Sequence, residues 1–155
     1  MKIHENKIIH KLQQKRHEIK KFVEPHWHRY QRYQLKFCFI LLYGIDVCEQ
    51  DCKKHIRKTD SFLKLDNDLT CIIFEALDID IAITLTEKIF YKMEREFKLN
   101  DKEFYCSLIC SSQIENDEDL ITESFMIIDY ATEYKIKNEV LDFNFSYNVM
   151  KASKI

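Results

Sequence analysis

Between residues 37 and 43 the chain reads Phe-Cys-Phe-Ile-Leu-Leu-Tyr, apolar at every position. A strand with one wet face alternates, so this run predicts a strand buried on both sides in the middle of a sheet. Residues 3–24 have a different period. Ile8, Leu12, Ile19, Phe22 and Val23 fall near one helical face, and lysines cover the rest. Pro25 lacks the amide N–H and disfavours helical geometry at Glu24, so a kinked or broken helix is expected there. A second helical piece from His26 to Gln34 places Trp27, Tyr30 and Tyr33 at helical spacing.

Beyond the apolar strand, a short helix ending near Lys58 carries Cys48, Cys52, His55 and Ile56 on one side. Two short strands, Phe62–Leu65 and Leu69–Glu75, flank Asp66-Asn67-Asp68, residue types that tolerate turn geometry where glycine is absent. Ile79–Phe97 reads as a long helix with Ala82, Ile83, Phe90, Met93 and Phe97 inward. Phe104–Ser111 reads as a strand. Asp117, Glu118 and Asp119 then open a helix favourably against its dipole, running to about Tyr134. Val140–Phe145 is the last strand, expected at an edge. Behind the N-terminal helix the order is β-α-β-β-α-β-α-β. This predicts an α+β fold with a ferredoxin-like βαββαβ kernel, a central antiparallel sheet, helices packed on it and an N-terminal helical extension. The expected division is an arm over residues 1–27 and a domain over 28–150.

Composition narrows the chemistry. The 155 residues include one glycine, Gly44, and one proline. A phosphate cradle of the G-x-x-x-x-G-K-[ST] or G-x-G-x-x-G kind needs several positions without a Cβ, so neither can be built. The longest apolar run is too short to cross a bilayer, and the N-terminus carries no apolar signal core. A cytoplasmic location is therefore expected, with the six cysteines reduced and buried as small hydrophobes.

Net charge is only −2, but residues 1–36 hold ten Lys/Arg against three Asp/Glu, a local +7. Five of the six histidines lie in the same stretch. Such an arm suits an acidic partner or nucleic acid, or a helix folded back on its own acidic domain. The last is the expected reading.

More specific residues lie within this frame. His28-Arg29-Tyr30-Gln31-Arg32-Tyr33-Gln34-Leu35 leads into the apolar strand. Arg57-Lys58-Thr59-Asp60 precedes Lys64-Leu65-Asp66-Asn67-Asp68-Leu69-Thr70. Together with Ala82–Ile89, Ser107 and Asp129–Lys135, these segments resemble a GGDEF domain, the family that makes cyclic di-GMP from two GTP molecules. The resemblance implies a nucleotide-cyclase-like fold and a place in cyclic di-GMP signalling.

The departures from that family bear on activity. Its signature turn uses two glycines against the nucleotide phosphates, and Asp66 and Asn67 stand in their places. Asp68 keeps the acid that the family uses on its metal, and Leu69 replaces the fourth signature acid. The family's other metal-binding aspartate corresponds to Gly44, with Asp46 only a neighbour. Magnesium on a triphosphate wants hard oxygen ligands on both sides. Between Gly44 and Arg57 the chain is also short by about one helix, the one carrying the family's guanine-recognising residues. Asp78-Ile79-Asp80 matches a family motif in letters only. The expectation is a non-enzymatic regulatory domain with no cofactor and no metal, an active diguanylate cyclase being the remote alternative.

Arg57 and Asp60 keep the family's R-x-x-D spacing, which the resemblance implies to be a cyclic di-GMP site. A guanidinium stacks on guanine and forks to phosphate, while a carboxylate accepts from the guanine edge. Alternatively, the two form a surface pair that caps a turn. The other expected mode of action is protein docking or homodimerisation through the N-terminal helix, without nucleotide. Cys48, Cys52 and His55 read as core rather than as a metal site. His26-Trp27-His28 reads as an anchor for the arm.

Overall fold

The computed structural model describes residues 7–97 and 103–144. The expected inward side chains Met93 and Phe97, and residues 145–150, lie outside what is described. The first helix, α1 (Lys7–Tyr33), is a single helix that passes through Pro25. This corrects the expected break. Val23, His26 and Trp27 are all buried around the proline, so tertiary packing on both sides outweighs the one backbone bond lost there.

Next come β1 (Phe37–Tyr43), α2 (Glu49–Lys53), β2 (Ser61–Asp66) and β3 (Leu69–Glu75). Then follow α3 (Ile79–Phe97), β4 (Tyr105–Cys110), α4 (Asp117–Glu133) and β5 (Val140–Asp142). Asn116 caps α4 by accepting the Asp119 amide at 2.8 Å, ahead of three acids in its first turn. Helix α2 stops at Lys53 rather than near Lys58. The chain beyond it is held in turns by His55 N–H to the Cys52 carbonyl at 2.9 Å and Asp60 N–H to the Arg57 carbonyl at 3.0 Å.

The five strands lie in the order β2-β3-β1-β4-β5. The first four pair antiparallel, which is the arrangement of a ferredoxin-like kernel, and β5 adds to the edge in parallel through the α4 crossover. The sheet is therefore mixed, with β1 at its centre and residues 37 to 42 fully enclosed. Phe37, Phe39 and Leu41 meet α1 and α4 on one face. Cys38, Ile40 and Leu42 meet α2 and α3 on the other. Two helical layers thus cover one sheet, which explains the unbroken apolar reading of β1.

The basic arm is folded back on the acidic body. Leu12, Ile19 and Val23 are wholly buried against the sheet and α4. Arg16 donates to the Glu118 carboxylate at 2.8 Å, the Glu118 carbonyl at 3.2 Å and Thr122 Oγ1 at 2.8 Å. Lys20 joins the same carboxylate, and Lys36 reaches Asp78 at 3.4 Å.

Three cysteines depart from expectation: Cys38 and Cys110, which are oxidised, and Cys48, which is exposed. Cys38 and Cys110 are direct partners across the β1–β4 ladder and form a disulfide. Reduced thiols were expected at both. Their opposition depends on strand register across 72 residues of sequence, which the local pattern does not contain. Cys52, Cys71 and Cys106 are free and buried, and Cys48 is exposed.

Candidate functional site

Two places bear on the resemblance: the β2–β3 turn, and the loop holding Arg57 and Asp60.

At the turn, Asp66 pairs with Leu69 across Asn67-Asp68, after a register shift between Lys64 and Asp66. The Asp66 side chain accepts the Asn67 amide at 2.8 Å, a local bond that closes the turn without glycine. Gly44 N–H donates to the Asp68 carbonyl at 2.9 Å, fastening the end of β1 to the turn. Lys11 of α1 lies over both acids, 3.1 Å from Asp66 and in direct contact with Asp68, with its ammonium 5.9 Å from the Tyr43 ring centre. Desolvation opposes the Lys11 charge, but the two carboxylates outweigh it and its pKa lies above the ordinary value. The Asn67 amide and then Lys11 hold the Asp66 carboxyl below its ordinary range. Asp46 is paired with Lys64, and Leu69 is fully buried in the core.

Gly44 has φ +113°. A Cβ built on it would stand 2.6 Å from the Glu103 carbonyl oxygen and 3.3 Å from the Phe104 Cα. The backbone therefore excludes a side chain here, a carboxylate included. The residues at this end do not fit the magnesium ion the resemblance implies. Gly44 and Leu69 offer no side-chain oxygen, and Asp66 and Asp68 are engaged by an ammonium. Among the described residues no cluster of three His, Cys, Asp or Glu side chains could hold a metal.

The second place is built differently. Arg57 forks onto Asp60, with Nε to Oδ2 at 3.2 Å and Nη2 to Oδ1 at 3.0 Å, while the Arg57 amide donates to Oδ2 at 2.8 Å. The Glu75 amide donates to Asp60 Oδ1 at 3.1 Å, and the Arg57 guanidinium also donates to the Glu75 carbonyl. The Asp60 side chain is fully enclosed, whereas Arg57 is 46% exposed. The pair is thus sewn to the last residue of β3, leaving part of the guanidinium facing solvent.

Glu75 continues this network toward α1. Its carboxylate lies 2.5 Å from His26 Nδ1 and 3.4 Å from the Arg29 guanidinium, and His26 Nε2 lies 3.4 Å from Ser61 Oγ. A tautomer with the proton on Nδ1 satisfies both ring nitrogens: Nδ1–H donates to Glu75, and Nε2 accepts from the Ser61 hydroxyl. Burial lowers the His26 pKa, against the opposing pull of Glu75.

The remaining candidates separate. Cys48 is exposed and Cys52 buried, its thiol pushed up to about 12 by burial, and His55 is half-buried. In His26-Trp27-His28, Trp27 packs in the core and His26 serves Glu75, while His28 is exposed. Sequence reasoning missed Lys11, Glu75 and the reason for Gly44. Only the charge asymmetry of the arm pointed toward the first.

The sequence matches no protein-family model and no curated protein. Solved structures do match in fold. A truncated form of TpbB (YfiN) from Pseudomonas aeruginosa comprising only the GGDEF domain aligns with a TM-score of 0.67 at 9% identity, covering 88% of this chain and 94% of that one. The GGDEF domain of DgcB from Caulobacter crescentus, in complex with cyclic di-GMP, aligns with a TM-score of 0.62 at 10% identity over 80% and 87% of the two chains. The active GGEEF domain of a diguanylate cyclase from Vibrio cholerae gives 0.59 at 12% identity over 77% and 90%. The chain has the GGDEF-domain fold. No described helix is long and apolar enough to cross a membrane.

Proposed function

We propose that this chain is a catalytically inactive GGDEF-like regulatory domain. The observation that carries the reading is Gly44: at the position of the family's metal-binding aspartate, the backbone leaves no room for a Cβ. Lys11 supports it by occupying the two acids of the signature turn. Incubation with GTP and magnesium should give no cyclic di-GMP, and robust turnover would overturn the reading.

Within that role the ligand we assign is cyclic di-GMP, taken at Arg57 and Asp60. The fork is formed, and its outer guanidinium edge faces solvent for phosphate or guanine. Calorimetric titration of the wild type and Arg57→Ala is the test. Absence of binding at high micromolar ligand would remove the receptor role, and retained affinity in the variant would move the site elsewhere. A second reading, a protein-docking or dimerising module without nucleotide, is favoured by the enclosed Asp60 carboxylate. It already takes bonds from Arg57 and from the Glu75 amide. Sedimentation of the full chain, alone and with cyclic di-GMP, separates the two. The cytoplasm remains the proposed location; residues 1–27 are proposed as the arm and 28–150 as the domain whose core that arm completes.

A further inference from the structure

Helix α1 touches both ends of β3. Lys11 holds the turn from which β3 starts, and His26 holds the side chain of Glu75 at its end. The spans agree: fifteen helical steps from Lys11 to His26 cover about 22 Å, and six strand steps from Leu69 to Glu75 cover about 20 Å.

Glu75 is where the helix meets the Arg57–Asp60 pair. Its side chain belongs to α1, through His26 and Arg29, while its backbone belongs to the pair. The amide feeds Asp60 and the carbonyl receives Arg57. One residue thus joins helix and pair, its carboxylate on α1 and its amide and carbonyl on Asp60 and Arg57. The segment of α1 making this contact is also set apart from the rest of the helix. Pro25 immediately precedes His26 and removes a helix bond at that point. After Trp27 the helix is largely exposed, and it ends on Gln34 in left-handed backbone at φ 57°.

We propose that the part of α1 beyond Pro25 is an autoinhibitory latch: docked, it draws Arg57 and Asp60 onto Glu75 and leaves ligand only the outer guanidinium edge, and undocked, it frees the whole pair for tighter binding. The ligand half of this statement rests on the receptor reading above, but the mechanical half does not. In the closed state the pair satisfies itself. In the open state Asp60 loses the Glu75 amide, and the guanidinium gains freedom to turn outward.

The test uses the full chain and two readouts. Backbone hydrogen exchange is followed at the Glu75 amide in wild type, His26→Ala, Arg29→Ala and Glu75→Gln, with Lys11→Met as the control at the other end. The latch variants should accelerate that amide by at least about tenfold while central β1 amides stay protected, and the control should leave it unchanged. If His26→Ala accelerates every amide equally, it has lost global stability, and the exposed Arg29→Ala together with Glu75→Gln decides. No local acceleration in those two overturns the latch. Cyclic di-GMP titration of the same proteins is read separately. Tighter binding in the latch variants supports the whole proposal, and equal binding in all overturns autoinhibition. If nothing binds, the receptor reading fails, while the exchange data still decide the latch.

Discussion

The carbonyl oxygen of Glu103 stands 2.6 Å from where a Cβ on Gly44 would lie. No real Cβ sits that close to backbone, and φ +113° is costly for any other residue. Restoring the acid should therefore harm the fold without restoring chemistry. Gly44→Ala and Gly44→Asp are each expected to lose at least about 2 kcal/mol in thermal or urea unfolding. Gly44→Asp should still make no cyclic di-GMP. An unchanged melting temperature for Gly44→Ala would show that the backbone yields here.

Removing residues 1–27 should cost more than docking contacts. Ile8, Leu12, Ile19, Val23 and Trp27 are all buried in the core shared with β1 and α4. At about 2 kcal/mol for each such side chain, the loss is on the order of 10 kcal/mol, comparable with the whole stability of a domain. The fragment 28–155 should show no cooperative melt by circular dichroism. A sharp native-like transition would establish the arm as separable.

These features differ in how far the chain shows them locally. The strand Phe37–Tyr43 was legible because burial on both faces leaves its mark on every residue of one short segment. The β2–β3 turn was legible because Asp66, Asn67 and Asp68 carry the turn chemistry themselves. Pro25 misled, since its local preference is real but the burial of His26 and Trp27 beyond it is a tertiary effect. The Cys38–Cys110 bond and the Lys11 contact were out of reach for a related reason. Each joins residues far apart in sequence (72 positions in the first case, 57 from Lys11 to Asp68), and only the assembled register brings them together. Arg57 and Asp60 were found by spacing, but spacing could not show that the carboxylate is enclosed.

The disulfide gives a direct measurement. Alkylation of the unfolded, unreduced protein should label four of its six cysteines, those at 48, 52, 71 and 106. Closing a loop of this length stabilises by about 4 kcal/mol in the chain-entropy account. Reductant, or Cys110→Ser, should lower the melting temperature accordingly. Six labelled thiols in freshly purified protein would show that the bond does not form in solution.

Lys11→Met should leave the hairpin in place but change its titration. The Asn67 amide, the largest single cause, and Lys11, through both its hydrogen bond and its charge, hold the Asp66 carboxyl below its ordinary value. In the variant the pKa measured by NMR should rise partway toward that value, because the amide bond remains. Asp66 supports the fold above its ordinary pKa, and the support is lost as pH falls through the lowered one. The variant should therefore lose it over a narrower and higher window. An unmoved Asp66 titration would mean that Lys11 spends its time elsewhere.

His26 titrates with the opposite consequence from a paired surface histidine. Burial holds its pKa below 6.5, so on acidification the unfolded chain takes up a proton before the folded one does. Stability should be unaffected by this group above pH 6.5 and should fall as pH drops from there toward the lowered value. His26→Gln should flatten that slope in a series of melts, and an unchanged slope would assign it to other groups.

Arg16 and Lys20 converge on Glu118 while Lys11 covers the acids of the turn. In polyelectrolyte terms the molecule supplies its own counterions. Adding salt therefore acts inside the protein, screening the attraction between its basic helix and its acidic body. A nucleic acid approaching α1 would have to compete with carboxylates already in place and would recover little of the counterion release that drives such binding. The near-neutral total charge thus conceals two opposed regions, +7 over residues 1–36 and −9 over the rest, that meet in these ion pairs.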